Sequence, residues 1–222
     1  MDVPDALDVP DIMEEKYVQD TYNEIAKSFD RTRSSIWSCV LKFLEHAEKS
    51  AHILDIGCGN GKNMAYLIDN KFTNIHGCDF TIKFVEICKK KDLDVIYGNI
   101  LCLPYPDKCA DSAICIAVIH HLASEERRIQ AIKELIRITK IGGKILITVS
   151  SYEHPFYKQY DKINEQDVMI PWKNSYGDIE KMRYYHLFME GELEYLCKIA
   201  GIDLEKITSS YELGNYIVEI IV

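Results

Sequence analysis

The stretch that decides the fold is Leu54-Asp55-Ile56-Gly57-Cys58-Gly59-Asn60-Gly61. It extends an apolar run over residues 52–56 and is followed by apolar positions at helical spacing over residues 62–69. The pattern predicts a buried strand, a glycine turn and a helix, an arrangement in which backbone N–H groups approach a ligand closely. The third glycine follows the second by two residues, whereas the dinucleotide fingerprint places it three residues later. The turn therefore departs from the dinucleotide pattern.

Strands and helices alternate along the chain after this turn. The apolar runs at residues 202–208 and 216–222 flank Leu213-Gly214-Asn215 and predict an antiparallel hairpin at the end of the sequence. The alternation before them is typical of parallel strands joined by crossover helices, so we expect an open α/β fold. The predicted strands cover residues 74–79, 94–99, 112–118 and 144–150, and the predicted helices cover residues 82–90, 124–139 and 190–200.

Three segments lie outside the predicted sheet. Residues 1–15 are acidic and contain Pro4 and Pro10, so we expect a flexible tail. Apolar spacing over residues 17–30 and 34–47 predicts two amphipathic helices, which form an N-terminal helical cap over residues 16–50. Residues 152–188 show no clear periodicity and predict an insertion that covers the site as a lid. The interpretation is one domain over residues 16–222.

Composition limits the class of protein. The 222 residues are 47% hydrophobic and 27% charged, as in a soluble globular domain, and no apolar run approaches the roughly 18 residues of a membrane span. Without a secretion signal, we expect a cytoplasmic, or also nuclear, protein with no membrane partner. The eight cysteines form no C-x-x-C pair, so we expect no metal site and mostly buried thiols. A net charge of -9 argues against broad adhesion to nucleic acid but allows a local basic patch.

Polar residues at predicted strand ends are candidate ligand contacts. Asp55 precedes the glycines by two residues, where a carboxylate favours a cationic ligand over a pyrophosphate. Asp79 ends the second strand and can accept hydrogen bonds from two ribose hydroxyls, which alone fits NAD equally well. Asn99, followed by Ile100 and Leu101, can bond an adenine edge between apolar neighbours, or serve simply as a turn residue.

The order of these motifs resembles the class I S-adenosylmethionine-dependent methyltransferases. D-I-G-C-G-x-G is followed by an acid, by N-I-L-x-L-P and by A-V-I-H-H-L, all within residues 50–150. The resemblance implies a Rossmann-like seven-stranded sheet with the last strand antiparallel and helices on both faces. It also implies S-adenosylmethionine as cofactor, S-adenosylhomocysteine as product, and a cofactor site across the carboxyl ends of the strands that includes Gly57, Cys58, Gly59, Phe80, Ala117 and Val118.

A finer resemblance covers nearly the whole chain. It rests on Tyr22-Asn23-Glu24-Ile25-Ala26, Thr32-Arg33, Trp37, Ile116-Ala117-Val118-Ile119-His120-His121, Glu126-Arg127-Arg128, Glu165-Gln166-Asp167-Val168, Pro171-Trp172 and Glu190-Gly191-Glu192-Leu193. These motifs look like the eukaryotic tRNA wobble-uridine carboxymethyl methyltransferases, whose domain also occurs fused in AlkB-homologue tRNA enzymes. The resemblance implies methyl transfer to the carboxylate of 5-carboxymethyluridine in the tRNA anticodon. A carboxylic acid with a pKa near 4 is already ionised, so the reaction requires alignment rather than a general base.

The resemblance places further residues at the reaction face. His120 and His121 follow the fourth strand, and we expect at least one to donate to the substrate carboxylate or the uracil edge; packing or helix capping is the alternative. Tyr22, Arg33 and Trp37 lie on helices that close over the cofactor. The Arg33 guanidinium suits the methionine carboxylate or the substrate's own, a choice that the sequence leaves open, as it leaves open a solvated arginine.

Two surfaces are expected to meet macromolecules. Arg127, Arg128, Trp172 and Arg183 are the candidate tRNA contacts, and the arginines form a phosphate-binding rim with Lys158, Lys173 and Lys181, unless these are solvated surface charges. The family works with a small zinc-binding activator subunit that pairs with a sheet edge, here the third strand. The segment Leu93, Val95, Ile96 and Tyr97 is apolar for an edge, so we expect partner capture, or poor solubility alone.

Two departures from the family pattern are visible: Asn99 replaces an expected acid, and the insertion after Trp172 is short. The alternative functions are a small-molecule methyltransferase of the same fold and a non-catalytic module that binds the cofactor.

Overall fold

The computed structural model describes residues 9–160, 162–173 and 176–222. Seven strands form one sheet in the order β3-β2-β1-β4-β5-β9-β8, and β6 and β7 form a separate two-stranded sheet. The strands are β1 (Ile53–Ile56), β2 (Ile75–Asp79), β3 (Val95–Tyr97), β4 (Ala110–Ile116), β5 (Thr139–Ser150), β6 (Asp167–Lys173), β7 (Ile179–His186), β8 (Ile207–Glu212) and β9 (Asn215–Ile221).

The pairing of the strands creates a crevice beside β1. Strands β2 and β4 flank β1 and run parallel to it, so the crossovers after β1 and β4 leave in opposite directions. Strand β9, the last in the chain, runs antiparallel to β5 and β8, which confirms the predicted seven-stranded class I sheet. Ligands of such sheets bind outside the carboxyl ends of the strands at this switch point.

Helices cover both faces of the sheet. The apolar residues of β1 and most of those of β4 and β5 are buried because two separate clusters of side chains pack against the two faces. None of the described helices is long and apolar enough to cross a bilayer. The α-helices are α1 (Val9–Glu14), α2 (Thr21–Thr32), α3 (Ser38–Phe43), α4 (Lys62–Asp69), α5 (Ile82–Lys89), α6 (Glu125–Ile138) and α7 (Glu192–Ile199).

The N-terminal region differs from the sequence-based expectation in two ways. Helix α1 and a π-helical segment, Glu15–Asp20, occupy the end of the predicted tail and lead directly into α2; residues 1–8 of that tail lie outside the described part. The order at α1 comes from Glu14, which is buried and whose carboxylate accepts from Arg127. The helix predicted over residues 34–47 is reduced to α3. The backbone of Trp37, directly before α3, is extended, and the Arg33 carbonyl accepts from the Asn60 side chain at 2.9 Å.

The insertion contains a β-hairpin that the sequence analysis did not predict. Strands β6 and β7 pair antiparallel from Asp167 opposite His186. The signal was present, since Val168, Ile170 and Trp172 alternate with less buried residues along β6. The predicted C-terminal hairpin is confirmed, but its first strand begins at Ile207, after a 3-10 turn at Leu204–Lys206.

Candidate active site

A cavity of about 410 Å³ opens at the carboxyl ends of β1, β2 and β4. It has two walls of different construction. The loop wall is formed by residues that end or follow the strands of the main sheet: Gly57, Gly59, Asp79, Asn99 and Ala117. The hairpin wall is formed by Tyr22, His121, Tyr157, Arg183 and Tyr185, which come from helix α2, from the turn after β4 and from the insertion.

Backbone geometry dictates the glycines of the loop wall. Gly57 has a φ of +70°, and a Cβ there would lie 2.4 Å from a methyl carbon of Val118. The N–H groups of Gly57 and Cys58 both donate to the Cys78 carbonyl, at 2.9 and 3.1 Å. The turn is therefore held against the end of β2 with no room for a side chain at its first glycine.

Asp79 ties the glycine turn to the end of β2. One carboxylate oxygen accepts from Gly59 N–H and the other from Thr81 N–H, each at 2.7 Å. Burial raises the pKa of this carboxyl, and the two backbone donors act in the opposite direction. Each oxygen retains a second lone pair, so the group can still accept from a pair of ribose hydroxyls.

Asp55 is placed behind the cavity rather than in its lining. The carboxyl is almost completely buried, and Asn63, which does line the cavity, donates to it at 3.4 Å. Burial raises the Asp55 pKa to about 7. The predicted contact with a cationic ligand is therefore indirect. Asp55 orients Asn63, which lines the cavity, and its ionised form attracts a cation at a distance.

The far end of the loop wall combines an amide with a strained turn. Asn99 and Ile100 line the cavity, whereas Leu101 packs against the apolar core and its N–H donates to the Asn99 side-chain oxygen at 2.9 Å. Ala117 adopts a φ of +59°, and its N–H donates to the Thr148 hydroxyl at 3.0 Å. Such left-handed residues cost free energy and cluster at functional sites. Phe80 and Val118 complete this wall as predicted lining residues.

Two cations stand where the N-terminal cap meets the glycine turn. Tyr22, Arg33 and Trp37 all line the cavity, and the exposed Arg33 guanidinium lies 5.2 Å from the Trp172 ring. Lys62, which the sequence analysis missed, follows Gly61 directly and lies 5.7 Å from the Trp37 ring; burial lowers its pKa. Its place in the sequence, at the first position of the helix after the glycine turn, could have identified Lys62 as a candidate.

The hairpin wall is organised by a chain of hydrogen bonds with a single direction. The His121 Nδ1 lies 2.8 Å from the Tyr184 carbonyl, which only accepts, so this nitrogen carries the proton. Burial lowers the His121 pKa to about 3, so the ring is neutral and its Nε2 accepts from the Tyr22 hydroxyl at 3.0 Å. The Tyr185 hydroxyl then donates to Tyr22 at 3.4 Å and accepts from Arg183 at 3.2 Å.

This chain removes His121 from the role of a donor to the substrate, whereas the same role for His120 stays a prediction. His121 has both ring nitrogens engaged within the protein and does not donate to a ligand. His120 lies behind the lining, stacked on Tyr185 with ring centroids 4.5 Å apart, and its Nδ1 accepts from Ser150 N–H. Burial lowers the His120 pKa well below its usual value. Both rings are neutral, and the His120 Nε2, which carries the proton of that ring, is buried with no hydrogen-bond partner among the described residues.

Three of the four predicted tRNA contacts are engaged within the fold. Arg127 binds Asp11 and Glu14 with nitrogen–oxygen distances of 2.7 Å. The buried Arg128 donates to the Leu122 carbonyl. Trp172 stacks on Phe29 and donates to the Ser28 hydroxyl. Of the remaining predicted rim, Lys181 pairs with Glu24, Lys158 and Lys173 are exposed, and Arg183 lines the cavity.

Two tyrosines of the hairpin wall, Tyr157 and Tyr185, were also missed. Tyr157 donates to the Ser150 hydroxyl at 2.9 Å, and Tyr185 contacts both histidine rings. The alternation along β6 predicts a hairpin, but no local pattern indicates that Tyr185 faces Tyr22, 163 residues earlier in the chain.

Comparisons with known proteins agree with this geometry. A family described as a methyltransferase domain matches residues 54–147. Two solved structures share the fold: the DhpI-SAM-HEP complex has a TM-score of 0.70 at 14% identity, covering 96% of this chain and 99% of that one. The other, the complex of the Haloferax volcanii Trm112 methyltransferase activator with a methyltransferase, has a TM-score of 0.62 at 15% identity, covering 93% of this chain and 98% of that one. The fold and the cavity together define a class I S-adenosylmethionine-dependent methyltransferase domain.

Sequence relatives narrow the class. The chain is 31% identical to the tRNA (carboxymethyluridine(34)-5-O)-methyltransferase alkbh8 of Xenopus tropicalis, covering 93% of this chain and 41% of the relative. It is 36% identical to the enzyme of the same name from Schizosaccharomyces pombe, covering 85% of this chain and 89% of that protein. The chain belongs to the tRNA carboxymethyluridine methyltransferase family, although it spans less than half the length of its frog relative.

Proposed function

We propose that the chain transfers a methyl group from S-adenosylmethionine to the carboxylate of 5-carboxymethyluridine at the wobble position of tRNA, forming the methyl ester. Family membership and one observation of the cavity support this proposal. The hairpin wall presents a cation, Arg183, and neutral hydroxyls, and the histidine in its lining, His121, is locked in an internal hydrogen bond. Such a wall suits a nucleophile that arrives already ionised.

The loop wall fits the cofactor. Gly57 lets the turn pack against Val118 where both line the cavity, and Asp79 has lone pairs for the ribose hydroxyls. Asn99 retains its amide nitrogen for the adenine edge because its oxygen is already bonded. Lys62 and Arg33 stand near the turn as partners for the methionine carboxylate, and the buried Asp55 supplies a negative charge for the ammonium group.

The chemistry asks little of the protein beyond alignment. S-adenosylmethionine supplies the methyl group: a carbon–oxygen bond forms as the carbon–sulfur bond breaks, and the sulfur keeps the electron pair of the broken bond. The carboxylate is ionised at neutral pH, so no residue has to remove a proton. The residues of the two walls hold the reactants in line and exclude water, which raises the rate by removing the cost of bringing them together.

The decisive test is mass spectrometry of anticodon nucleosides. The chain, a small zinc-binding activator and S-adenosylmethionine are incubated with tRNA from cells that make 5-carboxymethyluridine but not its ester. We expect the methyl ester to appear at the wobble position. The control is tRNA from cells that lack the carboxymethyl group, which should accept no methyl group. Equal methylation of both tRNAs would refute the proposal, as would cofactor binding without any product, which is the outcome expected of a non-catalytic module.

We also propose that the activator subunit adds a strand to the edge of β3. This strand pairs only with β2 in the described sheet. Its residues Ile96 and Tyr97 are 39% and 48% exposed, whereas Leu93 and Val95, also predicted for this surface, are buried. An exposed apolar edge of this kind favours strand addition.

The edge proposal is tested by co-elution of the chain with the activator in size-exclusion chromatography. Ile96→Lys should abolish co-elution because it places a charge in the apolar contact. The matched control is Ile199→Lys, which changes a similarly exposed isoleucine at the end of α7 and should co-elute normally. Retained co-elution of Ile96→Lys, or a wild-type chain that is soluble and fully active alone, would contradict the proposed interface.

A further inference from the structure

Arg183 is a cation without an acidic partner among the described residues. Its Nη1 donates to the Tyr185 hydroxyl at 3.2 Å and its Nη2 to the Pro171 carbonyl at 3.4 Å. The guanidinium also lies 5.2 Å from the Trp172 ring. Within residues 9–160, 162–173 and 176–222, no carboxylate forms an ion pair with it, and its Nε is buried with no hydrogen-bond partner. A guanidinium is charged at every physiological pH, so a half-buried one facing a cavity calls for an anion.

Its position separates Arg183 from the other cations of the cavity. Lys62 follows the glycine turn, and the Arg33 backbone is bonded to Asn60 of that turn, so both belong to the end that receives the cofactor's amino-acid group. Arg183 instead belongs to β7 and connects through tyrosine hydroxyls to His121, in the turn after β4. The two carboxylates of the reaction therefore have separate cationic partners available.

We propose that Arg183 binds the carboxylate of the substrate and makes the enzyme selective for the carboxymethyl group. The inference rests on the proposed function and assigns a partner to its nucleophile. The guanidinium has five N–H groups, and its contacts with Tyr185, Pro171 and Tyr22 leave donors from which one carboxylate oxygen accepts. The other oxygen remains free to form the new bond to carbon.

The same contact favours release of the product. The ester carries no charge, so the ion pair with Arg183 disappears when the methyl group arrives. A neutral oxygen accepts a hydrogen bond roughly half as strong as a charged one. Arg183 thus distinguishes the acid from the ester and from a neutral amide of the same shape.

The hydroxyl chain explains how Arg183 keeps its place. The His121 lone pair fixes the Tyr22 hydroxyl, which fixes the Tyr185 hydroxyl, which accepts from Arg183. No proton in this chain can be reversed, because the Tyr184 carbonyl at its end only accepts. His121 and Tyr22 are therefore positioning residues for the arginine.

Binding measurements test the assignment without turnover. Two anticodon stem-loop RNAs carry 5-carboxymethyluridine or its neutral carboxamide at the wobble position, and each is titrated into the chain with its activator and S-adenosylhomocysteine. We expect the wild-type complex to prefer the carboxylate by about tenfold or more, and Arg183→Gln to bind the two RNAs equally. Arg183→Lys should keep part of the preference, because it retains the charge without the planar pair of donors.

Turnover and cofactor binding complete the test. Arg183→Gln should raise the KM for tRNA and lower kcat/KM by about 100-fold, with the dissociation constant of S-adenosylhomocysteine within twofold of wild type. Arg33→Gln should have the opposite effects: weaker S-adenosylhomocysteine binding and an unchanged preference for the carboxylate RNA over the carboxamide RNA. Thermal melting of each variant verifies that it is folded.

The outcomes separate this inference from the proposed function. A wild-type chain that forms the ester, combined with an Arg183→Gln variant that keeps the preference for the carboxylate, overturns the role of Arg183 and leaves the function standing. Loss of S-adenosylhomocysteine affinity in Arg183→Gln assigns the arginine to the cofactor and also overturns it. An Arg183-dependent preference in a chain that forms no ester supports the carboxylate site and refutes the proposed reaction.

Discussion

The loop wall and the hairpin wall of the cavity are built by different means. The loop wall consists of strand ends and a turn whose positions follow from backbone geometry, such as the positive φ of Gly57 and the two backbone donors to Asp79. The hairpin wall consists of side chains that reach each other from distant parts of the chain, as Tyr22 reaches His121. The first wall should therefore be sensitive to any change of backbone, and the second to single polar atoms.

Gly57→Ala should have the largest effect on the loop wall. The added methyl group meets Val118 at 2.4 Å, and the left-handed φ adds about 1–2 kcal/mol for any residue with a Cβ. Strain and overpacking together should lower the free energy of unfolding by about 3 kcal/mol. Because the displaced turn lines the cavity, we also expect S-adenosylhomocysteine affinity, measured by calorimetry, to fall by about 100-fold or more.

The control for this variant is Gly142→Ala. Gly142 has a φ of +78°, so it carries the same backbone cost, but a Cβ added there would have no neighbour within 4 Å. Its free energy of unfolding should fall by about 1 kcal/mol and its ligand affinity should not change. If Gly57→Ala and Gly142→Ala bound S-adenosylhomocysteine equally well, the close packing of Gly57 against Val118 would not be needed for ligand binding.

The contrast also explains what the sequence could predict. The sequence named every residue of the loop wall as a candidate, because Gly57, Asp79 and Asn99 end or follow strands whose order is visible along the chain. It also named Asp55 and Leu101, which do not line the cavity. Asp55 was misplaced because the sequence cannot show that Asn63, on the next helix, comes between it and the cavity.

The pH dependence of ligand binding tests the buried acid behind the loop wall. Burial raises the Asp55 pKa to about 7, so the carboxyl is largely protonated at pH 6. A ligand ammonium group favours the ionised form, so binding releases a proton below pH 7 and affinity rises with pH. Between pH 5.5 and 7.5 we expect a gain of up to about tenfold, measured by calorimetry in buffers of different ionisation enthalpy.

Asp55→Asn is the control for this slope. The variant is neutral throughout, so it should bind more weakly at pH 7.5 and lose most of the gain with pH. Asp79 is the other buried acid of the loop wall with a raised pKa, and the two carboxyls interact. If the affinity of Asp55→Asn still rose with pH as in the wild type, the group that titrates would be Asp79.

Tyr22→Phe changes one atom of the hairpin wall. It leaves the His121 Nε2 without its donor and the Tyr185 hydroxyl without its acceptor. We expect kcat/KM for tRNA to fall about fivefold to tenfold, in line with one lost buried hydrogen bond of about 1 kcal/mol, while S-adenosylhomocysteine affinity stays within threefold. Tyr195→Phe, on the exposed side of α7, is the matched control and should behave as wild type. If Tyr22→Phe weakened S-adenosylhomocysteine binding, the hairpin wall would contact the cofactor as well as the tRNA substrate.

The hairpin wall was only partly predicted, for a physical reason. Tyr22 and His121 were named from the family resemblance and Arg183 from its charge, but their mutual contacts depend on side chains that approach across the fold. Arg183 was assigned to a phosphate rim together with Arg127 and Arg128, because charge alone does not reveal which arginine faces a cavity. Arg127 belongs to the same predicted rim, but it forms ion pairs with Asp11 and Glu14 whereas Arg183 lines the cavity. A substitution of Arg127 therefore tests whether the two arginines have different roles.

Arg127→Gln should have the smallest effect, and one on stability only. Arg127 holds α1 through Asp11 and Glu14, and its side chain is 20% exposed, so its loss should lower the free energy of unfolding by about 1 kcal/mol in urea titrations. Lys83→Gln removes an exposed helical pair with Glu86 and should cost nearly nothing. Binding of tRNA should keep its slope against salt concentration in both variants. If the slope of log affinity against log salt concentration falls by about one in Arg127→Gln, this arginine contacts a phosphate. Its ion pairs with Asp11 and Glu14 would then break when tRNA binds.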